Sequence, residues 1–264
     1  MKITIAHLYP DLLNLYGDQG NIECLTQRCL WRGIEVEIVP ITVNDQSSIL
    51  NPHGGETYLK SSIIFMGGGE DVSQKELYND FINNKGEFVR QYIEAGGVGL
   101  FICGGLQLLG KYYRPYAGAD ILGLNILDLY TQHFGRDKAR CVGNVSCKIT
   151  GIEYLQNKTL VGFENHGGKT FLNYENTKNN FNSIRPLGEV ITGFGNNGED
   201  KTEGVVYKNT IGTYLHGPLL PKNPHLTDWL IKTALENKYK KEVELKSIND
   251  DLEWETHKQV MGRE

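Results

Sequence analysis

Two short apolar runs constrain this chain more than any other feature. Residues 62–69 read SIIFMGGG and residues 98–105 read VGLFICGG. Each is apolar for the length of a strand, without polar residues at alternate positions, and each stops on glycines. A strand with no polar face must be covered on both sides, the situation of a parallel sheet packed between helices. The neighbouring segments fit that reading. KITIAHLY at 2–9 and EVEIVPI at 35–41 read as strands, and residues 21–31 read as a helix after a loop at PDLLNLYGDQGN. Residues 73–95 carry Leu77, Phe81, Phe88 and Ile93 at helical spacing, with NNKG at 83–86 a candidate break. GLQLLGKYY, at 105–113, continues the helical pattern beyond Cys103. Strands alternating with helices predict an α/β fold with a mostly parallel sheet, and ligands in such folds bind beyond the carboxyl ends of the strands.

The second half carries short β-runs separated by Gly and Asn, among them GLNILDLY, NVSCKI, TLVGFENHGG, EVITGFGNNGED, EGVVYKN and TIGTYLHGPL. These predict antiparallel additions to the same fold. Asn223 precedes Pro224 as a helix cap for residues 224–240. The charged segment 241–264 is expected to be a C-terminal extension, helical or partner-docking, beyond a domain spanning 1–240.

A net charge of −5 argues against nucleic acid and anionic membranes as partners. No segment has the apolar length of a membrane span, and the first residues lack a signal-peptide pattern, so a cytoplasmic setting is expected. The five cysteines have no CxxC spacing, which speaks against a disulfide framework or a structural zinc site. GxxxxGK[ST] does not occur, and neither MGGGED nor CGG belongs to a GxGxxG, so these two glycine clusters are not phosphate loops.

The clusters instead frame Cys103. A thiol at a strand-to-helix turn, followed by two glycines, lies near the positive end of a helix and can act as a nucleophile. Backbone donors from MGGGED and CGG could surround an oxygen on which charge develops. The alternative is a small buried hydrophobe at the end of a core strand. A nucleophile needs a base, and His216 in GTYLHGPLL and His166 in GFENHGGK occupy comparable Gly-rich contexts. Glu164, Asp18 and Asp71 are candidates to orient it.

Taken together, FICGG, GFENHGG and GTYLHGPLLPKN resemble a class I, triad-type glutamine amidotransferase domain of the cobyric-acid-synthase-like branch. Within that branch the chain is similar to the glutaminase subunits of bacterial lipid II isoglutaminyl synthase. The resemblance implies a flavodoxin-like three-layer sandwich that hydrolyses the side-chain amide of L-glutamine. It assigns Cys103 as nucleophile, His216 as general base and Arg140 to glutamine binding, with Arg136 a second candidate in the same loop. Gly68 or Gly69, with Gly104, would supply the oxyanion donors. Two positions depart from the family pattern. Phe101 stands where a glycine usually precedes the nucleophile by two residues, and Pro218 stands where the third catalytic residue, a glutamate, follows the histidine; Asp18 is the candidate substitute. No metal or organic cofactor is implied in this chain. A Mur-ligase-like synthetase subunit, MurT, would bring ATP and Mg2+, with lipid II as acceptor at the inner face of the cell membrane and no membrane insertion by this chain. A cobyrinate-like acceptor, or a non-catalytic binding subunit on the same scaffold, are the alternatives.

Overall fold

The computed structural model describes residues 1–14, 17–43, 61–69, 71–135, 139–173 and 183–262, with the side chains of 71–75 not described. Among these residues the strands are β1 (Lys2–Leu8), β2 (Glu35–Ile41), β3 (Ile63–Met66), β4 (Val98–Ile102), β5 (Tyr112–Arg114), β6 (Ile121–Leu122) and β7 (Leu129–His133). They continue with β8 (Cys141–Ile149), β9 (Thr159–His166), β10 (Gly168–Leu172), β11 (Gly188–Thr192), β12 (Thr202–Glu203), β13 (Val205–Tyr207) and β14 (Thr210–Thr213). The helices are α1 (Gln19–Leu30), α2 (Asp71–Asp80), α3 (Gly86–Glu94), α4 (Gly104–Leu109), α5 (Pro224–Tyr239) and α6 (Asp251–Met261).

The main sheet has the order β13-β14-β4-β3-β1-β2. Every pair in it is parallel except β13 with β14 at one edge. Residues of β3 and β4 are buried throughout, as their unbroken apolar sequence requires. Alternate residues serve opposite faces. Ile63, Phe65, Leu100 and Ile102 join Ile22 and Leu25 of α1 and Leu226 and Leu230 of α5 in one core. Ile64, Met66 and Phe101 join Leu77, Phe88 and Leu106, from α2, α3 and α4, in the other. The sheet is thus sandwiched between two helical layers, with β2 a half-exposed edge.

The second half forms two further four-stranded sheets, β10-β7-β5-β6 and β12-β11-β8-β9. Their pairings are antiparallel apart from β5 with β7. Each extends a different core, Tyr113 and Leu129 on one side, Val145 and Leu160 on the other.

Three local expectations are corrected. The helix after Cys103 stops at Leu109, and Tyr112–Arg114 is a strand instead. At Gly110 the chain passes against Leu129, whose carbonyl lies 2.9 Å from where a β-carbon would stand, and it leaves the helix there in an extended conformation. The NNKG break is a single π-helical turn, Phe81–Lys85, between α2 and α3. It buries Lys85 against Asp80, which also accepts hydrogen bonds from Tyr9 Oη (2.9 Å) and Asn84 (2.8 Å). Burial disfavours charge on Asp80, but its donors Asn84, Lys85 and Tyr9 outweigh this and lower its pKa. Asn223 does precede α5, yet its side chain does not cap it. It accepts from Val161 N–H (3.0 Å) and donates to the carbonyls of Val161 and Leu219 (both 2.8 Å), tying the helix start to β9.

Residues 240–250 lead into α6, which is held to its own chain. His257 donates from Nδ1 to the Lys222 carbonyl (2.8 Å) and pairs through Nε2 with Thr159 Oγ1 (2.8 Å). Buried Arg28 grips Asp250 at 2.6 Å and Asp228 at 2.9 Å. Among the described residues no helix is long and apolar enough to cross a membrane.

Asn223→Leu keeps the branched four-atom side chain but leaves buried backbone groups of β9 unpaired, each costing about 1–3 kcal/mol. A lower urea midpoint at unchanged m-value is the expected result.

Candidate functional site

β4 ends at Ile102, and the next residue turns sharply. Cys103 has φ 50° and ψ −103°, outside the regions L-residues favour, and it precedes the first residue of α4. Such a conformation costs about 1–3 kcal/mol and persists only where the surroundings enforce it. Here they do. Cys103 N–H donates to the Thr213 carbonyl on β14 (2.8 Å), and its own carbonyl accepts from Gln107 N–H (3.0 Å). A β-carbon on Gly105 would lie 2.9 Å from the Met66 carbonyl, so α4 can seat itself against the end of β3 only with glycine there. The turn lifts the thiol, half-buried, at the carboxyl edge of the main sheet.

Phe101 does not obstruct this elbow. Its ring lies back over Gly99, where a β-carbon would stand 2.7 Å from the ring edge. Opposite Phe101 in register is Gly212. The glycine that usually relieves crowding before the nucleophile is thus replaced by the glycine two residues earlier, while the space over Gly212 is taken by Leu106 of α4.

His216 follows β14 and is fixed by reciprocal backbone bonds with Phe163 (2.7 and 3.1 Å). Its Nδ1 lies 3.2 Å from Asp18 Oδ1, and both side chains are completely buried. Asp18 Oδ2 accepts the Gly68 N–H at 2.7 Å. Asp18 sits where a helix-capping carboxylate would, but its side chain makes no cap bond to α1. Asn14 Oδ1 accepts from Gln19 N–H (2.8 Å) in its place. Pro218 explains how the carboxylate reaches the histidine. Its ring packs on Gly20, whose β-carbon would lie 2.7 Å from Cγ, and its Cδ is 3.8 Å from the same point on Gly17. The residue two after His216 therefore seats the turn that carries Asp18.

The imidazole also faces the Cys103 thiol. Burial disfavours charge on His216, but the bond to Asp18 and the interaction with Cys103 prevail and raise its pKa to about 10. Gly68 fills the remaining corner. A β-carbon there would stand 2.6 Å from His216 Cε1, 3.1 Å from Cys103 Cβ and 3.4 Å from Asp18 Oδ2. This corrects one expectation: the Gly68 N–H is engaged by Asp18, so Gly68 contributes space and not an oxyanion donor. Gly104, the first residue of α4, places its N–H at the helix start, where donors have no intrahelical partner.

Of the other candidates, His166 and Glu164 lie on the opposite face of β9 from Phe163 and serve a buried polar cluster. His166 donates from Nδ1 to the Gly168 carbonyl (2.6 Å), and its ring stacks on Tyr214 with centroids 3.7 Å apart. Glu164 accepts from the N–H groups of Phe194 (2.6 Å) and Gly195 (2.9 Å). The hydroxyl of Tyr214 meets Gln107 (3.0 Å) and Thr170 (2.7 Å), linking the strand that leads to His216 with the helix that follows Cys103. Nearby Glu203 is raised to about 7 by burial, with the Glu164 charge adding to the effect. Gln107, Thr170, Tyr214 and Glu203 carry no local sequence signal, because their partners are distant in the chain. The Asp71 side chain and all of Arg136 lie outside the described residues. Arg140, just before β8, binds Asn165 Oδ1 through Nε (3.1 Å) and Nη2 (2.9 Å).

A thiol at a strained strand-to-helix turn, beside a buried histidine that is oriented by a carboxylate, is the arrangement of a cysteine acyl-transfer enzyme. Residues 4–224 match the CobB/CobQ-like glutamine amidotransferase domain. The chain belongs to this family. It is a glutamine amidotransferase, 41% identical over 240 residues to the Staphylococcus aureus protein named lipid II isoglutaminyl synthase (glutamine-hydrolyzing) subunit GatD, covering 90% of this chain and 86% of that one. The Streptococcus pneumoniae protein of the same name is 38% identical over 254 residues, covering 96% and 88%. The fold matches the glutaminase domain of Trypanosoma brucei CTPS with a TM-score of 0.54 at 12% identity, over 92% of this chain and 96% of that one.

For this CobB/CobQ-like amidotransferase, Gly68→Ala should lower kcat about 100-fold or more while leaving the protein folded, because displacing His216 by about 1 Å removes the aligned geometry. Steady-state kinetics with a thermal melt check this. Since the bond to Asp18 raises the His216 pKa to about 10, Asp18→Asn should lower it. The proton on His216 is then lost at lower pH, so the alkaline limb of the kcat/KM profile should move to lower pH than in wild type.

Proposed function

We propose that this chain is the glutaminase subunit of lipid II isoglutaminyl synthase. The observation that carries the reading is the buried Asp18–His216 pair beside Cys103 at the elbow. Support for the assembly comes from the names of the two GatD relatives.

The chemistry follows from the geometry. The Cys103 thiolate attacks the side-chain carbonyl carbon of glutamine, forming a tetrahedral oxyanion. The N–H of Gly104, with Gly69 from the facing loop, is assigned to that oxygen. As the intermediate collapses, the carbon–nitrogen bond breaks and His216 gives its proton to the departing ammonia. His216, now neutral and held by Asp18, takes a proton from water, which attacks the thioester. Glutamate leaves and the Cys103–His216 pair is restored. Arg140 holds the α-carboxylate of the substrate.

Ammonia passes to a Mur-ligase-like subunit, MurT, which uses ATP and Mg2+ to activate the D-glutamate α-carboxylate of lipid II and yields D-isoglutamine. The reaction takes place at the cytoplasmic face of the membrane, with this chain held there through its partner. No cofactor is assigned to this chain.

The test measures ammonia and glutamate released from glutamine by the chain together with its synthetase, and the amidation state of added lipid II by mass spectrometry. Cys103→Ala and His216→Ala should each reduce glutaminase activity by about 1,000-fold or more, as removal of a member of such a catalytic unit does. Normal turnover in Cys103→Ala would sink the nucleophile assignment. Glutamine hydrolysis without amidation of lipid II would sink the acceptor.

A further inference from the structure

The two small sheets meet at the joint between β9 and β10, which is the single residue Gly167. From one sheet comes His133, the last residue of β7, opposite Gly168 in the β7–β10 register. From the other comes Arg140, next to Cys141, which pairs with His166. Both side chains end over the same point. A β-carbon on Gly167 would stand 2.7 Å from His133 Nε2 and 3.3 Å from Arg140 Nη1.

Each group is oriented as a donor. His133 Nδ1 accepts the Gly135 N–H at 3.0 Å, so that nitrogen carries no proton and the ring proton sits on Nε2. The ring also packs edge-on against Tyr116, centroids 5.9 Å apart, which limits its rotation. Arg140 is held through Nε and Nη2 by Asn165 Oδ1, and Nη2 also reaches the Asn165 carbonyl (3.3 Å). That fixes the guanidinium plane with Nη1 toward Gly167. One charged and one neutral donor thus converge over the bare backbone of Gly167, where any side chain would push them away.

The next residue along β10 adjoins α4. The β-carbon position of Gly168 is 3.2 Å from Gln107 Nε2, and Gln107 lies one turn along α4, its N–H bonded to the Cys103 carbonyl. Glutamine has one anionic group, at the opposite end from the amide that Cys103 attacks.

We propose that His133 is a specificity-determining residue that grips the α-carboxylate of glutamine together with Arg140, in a subsite kept open by Gly167 and aligned by Asn165. This rests on the glutaminase reading. It adds a neutral hydrogen bond whose direction is set by the ring tautomer, and it makes the glycine part of the binding site.

The test uses the chain paired with its synthetase, comparing L-glutamine with L-glutaminamide, which lacks the α-carboxylate charge. His133→Leu should raise KM for glutamine about 10- to 100-fold at nearly unchanged kcat, as loss of a hydrogen bond to a charged group does. The preference for glutamine over glutaminamide should shrink by the same factor. His133→Gln, which can return an N–H to a similar place, should restore part of it. Gly167→Ala, on a different strand, should raise KM in the same way by pushing the two donors apart. Melting temperatures close to wild type would locate these effects in binding. Unchanged KM and unchanged discrimination in both His133→Leu and Gly167→Ala, in an active enzyme, would overturn the subsite alone. A wild-type complex that does not hydrolyse glutamine would overturn the function and the subsite with it.

Discussion

The Asp18 carboxylate is the interaction on which the rest of the site depends. One oxygen accepts the Gly68 N–H and the other faces His216 Nδ1. It therefore joins three segments that the chain places far apart: the turn before α1, the loop after β3 and the strand end after β14. Completely buried, the carboxylate has these two contacts in place of water, and its bond to His216 raises the histidine pKa. A single group thereby sets the tautomer of the histidine, its proton affinity and the position of the glycine loop beside the thiol.

Glycine is the second material of this site. At Gly67 a β-carbon would lie 3.2 Å from Asp18 Oδ2, and at Gly68 and Gly105 the clearances against His216 and Met66 are smaller still. These positions follow the ends of β3 and β4, where neighbouring parallel strands deliver their loops to one edge. Close approach of backbone to catalytic side chains excludes water and makes fixed dipoles available, which is where electrostatic stabilisation in such enzymes originates.

Much of this was legible from residues alone. The unbroken apolar β3 and β4 required cover on both faces, and the two helical layers supply it. Cys103 stood out because a strand, a cysteine and two glycines in that order describe a tight turn. His216 and His166 could not be separated by context, since both end β-runs beside glycine; the fold separates them by sending one to Cys103 and the other under Tyr214. Phe101 departs from the family pattern at the elbow, and its ring is accommodated by Gly99, two residues earlier. The helix beyond Leu109 was overextended because Gly110 is shaped by Leu129 in a different sheet.

Local sequence by itself determined the periodicity of the elements, the parallel character of the main sheet and the place of Cys103 at a strand-to-helix turn. These depend on side-chain pattern over a few residues, which the chain carries in linear order. Tertiary structure decided that Asp18 meets His216, that Pro218 seats the turn carrying it, and that His133 and Arg140 converge over Gly167. Those facts are distances between residues widely separated along the chain. They arise only when parallel strands bring their ends to one edge and the two small sheets close beside it.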